Sequence, residues 1–67
     1  MSKRVRPLVN RLVDETQLIL GSVELGDLDA ALRSVGRATI LCADLHAEVA
    51  KLIAQRQAEN RARKKGN

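Results

Sequence analysis

Apolar residues recur at intervals of three and four along most of the chain. Leu8, Val9, Leu12, Val13, Thr16, Ile19, Leu20 and Val23 form one face of a predicted first helix, with Arg11, Asp14, Glu15 and Gln17 on the other side. Pro7 has no N–H to donate and fits the first turn. Gly21 lies inside the pattern, where glycine costs roughly 1 kcal/mol against alanine. Gly26 is the better stop, because glycine accepts the left-handed C′ conformation. Asp27 follows as an N-cap, and Asp29 adds negative charge to the next first turn. The chain therefore divides into a basic N-terminal arm (1–6), a helical hairpin (7–62) and a basic tail (63–67). The first helix is expected at about 7–25 and the second at about 28–62.

The second helix carries the stronger pattern. Leu28, Val35, Cys42 and Val49 stand seven apart, and Ala31, Ala38, Leu45 and Leu52 fill a second heptad position. Leu32, Thr39, His46 and Ile53 widen this seam. Gly36, Ala43, Ala47, Ala50 and Ala54 line a further side with small residues, with Ile40 among them. A helix that is apolar on two sides is buried on two sides. The first helix is too short to cover the second, so another chain is required. The fold class is all-α: a two-helix antiparallel hairpin that homodimerises into an antiparallel bundle. The expected dimer interface is Val35, Ala38, Cys42, Leu45, His46, Val49, Leu52 and Ile53.

Charge gives the pairing its direction. The turn is acidic (Glu24, Asp27, Asp29) and the C-terminal end is basic (Arg56, Arg61, Arg63, Lys64, Lys65). Antiparallel second helices bring these ends together, and several such pairs select an orientation. On charge alone the two-fold axis falls near residues 42–46.

Composition narrows the remaining choices. A chain of 67 residues forms one small domain, and small domains need a staple or a second subunit. One cysteine makes no internal disulfide, and with one histidine it makes a poor zinc site. There is no Phe, Tyr or Trp, so the core is aliphatic. No apolar run approaches the ~20 residues of a membrane span, and Asn10 and Arg11 break the only stretch resembling a signal peptide. A lone reduced cysteine suits a cytoplasmic protein. The net charge of +4 attracts anionic partners or simply maintains solubility.

Cys42, Asp44 and His46 supply nucleophile, acid and base types within five residues. Helical geometry separates them. Cys42 and His46 are four apart and share a face, whereas Asp44 points elsewhere and cannot orient His46. No oxyanion hole is available mid-helix. Two Cys42/His46 pairs across a dyad would number four metal ligands, yet packing is the commoner role of a seam cysteine. No catalytic residue, metal or cofactor is expected.

Two surfaces are left as candidates for binding. Arg33, Arg37, Ile40 and Leu41 lie off the seam, and aliphatic residues rimmed by charge mark interaction sites. Lys3, Arg4, Arg6 and Arg11 with Arg61, Arg63, Lys64 and Lys65 are the candidates for nucleic acid. The absence of aromatics argues against stacking on unpaired bases.

The run Cys42-Ala-Asp-Leu45-His46, followed by Leu52, resembles the second helix of the plasmid Rop (Rom) proteins, as does Leu28-Asp29-Ala30 near the turn. The resemblance covers about a dozen residues. It implies an antiparallel dimer of helical hairpins that binds paired RNA loops. The chain departs from that family in its longer second helix, its lack of an aromatic on the first helix, and Asp14 on the face that would meet RNA. In size, charge and architecture it also resembles the small proteins that phages encode against host regulators, including dimeric anti-quorum-sensing proteins. The expected function is therefore a non-enzymatic regulator, of phage or plasmid type, that binds a host protein such as a transcription regulator or motor. Nucleic-acid binding is the alternative.

Overall fold

The computed structural model describes residues 3–65, with side chains through Arg63. Parts of the arm and tail (residues 1, 2, 66 and 67) lie outside the described residues, as do the Lys64 and Lys65 side chains. Two helices make up the fold, α1 (Val5–Glu24) and α2 (Leu28–Lys65). No strand occurs among the described residues. Helix α1 starts earlier than the proline suggested, so Arg6 belongs to its first turn. Pro7 is the third helical residue, still a position whose N–H needs no intrahelical acceptor. Helix α2 carries through Arg63 to Lys65, taking in residues assigned above to the tail.

The turn follows from two residues. Gly26 has φ 77°, a left-handed conformation. Its N–H donates to the Val23 carbonyl at 3.1 Å, and the Asp27 N–H donates to the Ser22 carbonyl at 2.9 Å, which together form a Schellman motif. Asp27 then caps α2, its Oδ1 accepting from the Ala30 N–H at 3.1 Å.

The helices pack antiparallel, and two ion pairs fix their level. Arg37 Nε lies 2.9 Å from Glu15 Oε1, and Arg4 Nη1 lies 3.0 Å from Glu48 Oε1. In both pairs the residue numbers add to 52, so α1 residue n sits beside α2 residue 52 − n. Helix α1 therefore ends its cover of α2 near Glu48. The molecule is a rod of 61 × 14 × 14 Å.

The seam between the helices takes in one of the two heptad series of α2, that of Ala31, and leaves the other, that of Leu28, exposed. On α1, Leu8 is buried and Leu12, Glu15, Ile19 and Ser22 are half-buried. On α2, Ala31, Ser34 and Glu48 are buried, and Ala38, Leu41, Leu45 and Leu52 are half-buried. Each helix has an apolar sector wider than one neighbouring helix can cover. The hairpin covers one edge of each sector and takes four polar side chains in with it, Glu15 and Ser22 from α1 and Ser34 and Glu48 from α2. Among them Glu15 pairs with Arg37, Ser34 Oγ accepts from Arg37 Nη2 at 3.0 Å, and Glu48 pairs with Arg4 and Lys51.

Candidate interaction site

The other edge of each sector is left open. On α1 it comprises Val9, Val13, Thr16, Leu20 and Val23, all exposed. On α2 it comprises Leu28, Leu32, Val35, Thr39, Cys42, His46, Val49 and Ile53, also all exposed. Leu28 and Leu32 are 69% and 71% accessible. Successive residues turn by about 100°, so each series lies about a quarter turn from its own seam, in the same rotational sense. Because the helices run antiparallel, that common sense brings both series to one side of the hairpin. The result is a single apolar face across both helices.

The two hydroxyls on this face are turned away from it. The Thr16 hydroxyl donates to the Val13 carbonyl at 2.7 Å, and the Thr39 hydroxyl donates to the Val35 carbonyl at 2.8 Å. Both threonines are thereby satisfied within their own helices. Towards its C-terminal end the face deepens into a groove of about 410 Å³, lined by Cys42, Leu45, His46, Val49, Ala50 and Ile53. It opens where α1 ceases to cover α2.

Of the expected interface residues, Val35, Cys42, His46, Val49 and Ile53 lie on this open face. Ala38 and Leu45 are half-buried along the seam with α1, although Leu45 also borders the groove, and Leu52 is half-buried past the level where α1 begins. Cys42 and His46 share the face as spacing required, and Asp44 is exposed off it. Among the described residues no cluster of three His, Cys, Asp or Glu side chains could hold a metal.

The opposite side of the hairpin has a second groove of about 410 Å³, lined by Arg11 and Glu15 from α1 and by Arg37, Ile40 and Leu41 from α2. Three of the four residues singled out for partner binding thus line one cavity, and Arg33 does not. The Arg37 guanidinium is held at the rim by Glu15 and Ser34. Ile40 is 64% exposed beside it. Glu15 Oε2 is buried without a hydrogen-bond partner.

The basic residues divide by use. Arg4, expected to meet nucleic acid, contacts Glu48. Arg11 belongs to the second groove. Lys3, Arg6, Arg61 and Arg63 are exposed, the last two on the part of α2 that projects past α1. No helix among the described residues is long and apolar enough to cross a membrane. Neither protein-family models, curated proteins nor solved structures give a match to this chain.

Sequence reading missed the roles of Glu15, Ser34 and Glu48. Their signal was present as spacing: Leu8, Leu12, Glu15 and Ile19, and Leu41, Leu45, Glu48 and Leu52, keep the three-four rhythm with an acid in an apolar slot.

Proposed function

We propose that this chain is a small non-enzymatic regulatory protein that acts as a homodimer and sterically inhibits or modulates another protein. The observation that carries the reading is that the hairpin has two different faces. One is broad and apolar, as self-association requires. The other holds a narrow apolar groove rimmed by arginine, as recognition of a separate partner requires. Partner chemistry follows from the lining: an apolar side chain to lie against Ile40, flanked by a carboxylate to meet Arg11 and Arg37. A bound dimer would block whatever site on the partner contributes that segment.

The test is capture from the source cell with wild-type protein and two variants. Ile40→Asp should lose a stoichiometric protein that wild type retains. Arg61, Arg63, Lys64 and Lys65 changed together to alanine should retain it. The reverse pattern, with nucleic acid recovered by wild type and lost in the tail variant, would sink this reading. It would favour instead a Rop-like RNA-binding regulator, whose support is the basic end of α2 projecting past α1. Binding of that kind would fall steeply with salt.

A further inference from the structure

We propose that the apolar face is covered by a second copy of this chain running antiparallel, α2 against α2, registered so that Leu28 lies opposite the partner's Ile53 and Val35 opposite the partner's His46. The proposal rests on the self-association in the reading above and adds its orientation and register.

Area sets the requirement. The chain exposes 5696 Å², whereas a compact monomer of this mass exposes about 4200 Å². The excess, about 1500 Å², exceeds the roughly 800 Å² that each partner contributes to a standard interface. Chemistry points to a mainly aliphatic occupant: the face is mostly valine, leucine and isoleucine with Cys42 and His46 among them, and its two threonines direct their hydroxyls into their own helices.

Two symmetric ways of stacking the faces exist. With both turns at the same end, each α2 lies over the partner's α1. The apolar series of α1 ends at Val9, level with Ala43 of α2, so His46, Val49 and Ile53 stay bare in both chains. The two basic segments 56–65 also lie side by side, where like charges repel. With the turns at opposite ends, α2 lies along α2 and its whole series is covered. The parts of α2 that α1 does not reach then pack on the partner. Val49 and Leu52 come level with the partner's Leu20 and Val23 on α1. Arg56 comes level with the partner's Leu25, between the acids Glu24 and Asp27.

Self-complementarity sets the register. The α2 series maps onto itself when paired residue numbers add to 81, setting Leu28 against Ile53, Leu32 against Val49, Val35 against His46 and Thr39 against Cys42. Sliding by one heptad, to numbers adding to 88, places the basic end more fully along the acidic turn. It also sets Leu28 and Leu32 against Asn60 and Arg56. Burying a leucine outweighs an exposed ion pair, so the first register wins. The two-fold axis then passes between residues 40 and 41, rather than near 42–46 as charge alone indicated.

The experiment is disulfide trapping with full-length chains lacking the native thiol. L28C/C42S and I53C/C42S are mixed, refolded together and oxidised, and V35C/C42S with H46C/C42S forms a second pair. All four positions are exposed in the hairpin, so helicity by circular dichroism should match wild type. Each mixture should give a linked heterodimer. Leu28 and the partner's Leu28 are about 37 Å apart along the axis at 1.5 Å per residue, so L28C/C42S alone should stay unlinked. L28C/C42S or I53C/C42S linking to itself would overturn the orientation. Dimers in the ultracentrifuge that link in neither mixture would overturn the register. Folded monomers would overturn self-association as well, while the Ile40→Asp capture result stands or falls independently of all three.

Discussion

Glu48 shows how far one side chain departs from the logic of a heptad. Its side chain is only 8% exposed, with Oε1 3.0 Å from Arg4 and 3.6 Å from Lys51, whereas the Arg4 side chain is 70% exposed. Glu48→Ala should lower the unfolding free energy by about 1–2 kcal/mol, the range for bonds to a charged group. Arg4→Ala should cost less, because an exposed cation is well solvated. Urea titrations at one protein concentration, read as a double-mutant cycle, check both. Equal and additive losses would contradict the pairing. At this scale the sequence was least legible. An acid in an apolar rhythm reads as an interruption until a basic residue from the other helix is known to lie beside it, and Arg4 is 44 residues away. The role of Arg37 was hidden in the same way, because its partner Glu15 is on α1. Cys42 and His46 were legible because their relation is local: four residues apart on one helix fixes a shared face.

Helices and turn were read more fully, since their causes lie within a few neighbouring residues. Gly26 and Asp27 marked the break that the Schellman motif and the cap make. The two glycines of α1 and its turn should respond oppositely to alanine. Gly26→Ala forces a side chain into φ 77° and should destabilise by about 1–2 kcal/mol. Gly21→Ala meets nothing within 4 Å and should stabilise by up to about 1 kcal/mol. Asp27→Ala should cost about 1 kcal/mol through the lost cap. Thermal unfolding of the three variants measures all of these, and a stabilising Gly26→Ala would refute the turn. What the pattern could not give was which edge of each apolar sector meets the other helix. Leu28, Val35, Cys42 and Val49 read equally well as the hairpin seam or as the outer face, because a period of seven describes either. Packing of α1 decided it.

For the whole molecule the decisive quantity is apolar surface without cover. Among the described residues the buried apolar side chains are Leu8 and Ala31, a small core, and the proposed dimer would bury the remaining aliphatic surface. Stability should therefore rise with protein concentration, as it does when folding is linked to assembly. Val49→Asp lies on the open face away from the seam. Each copy loses at least about 1.5 kcal/mol of burial, so the dimer should weaken by about 100-fold for the two copies together. Sedimentation equilibrium on wild-type protein at micromolar concentration measures the central claim directly. The account predicts a single folded species of twice the 7.3 kDa chain mass. A helical monomer of 7.3 kDa would contradict it.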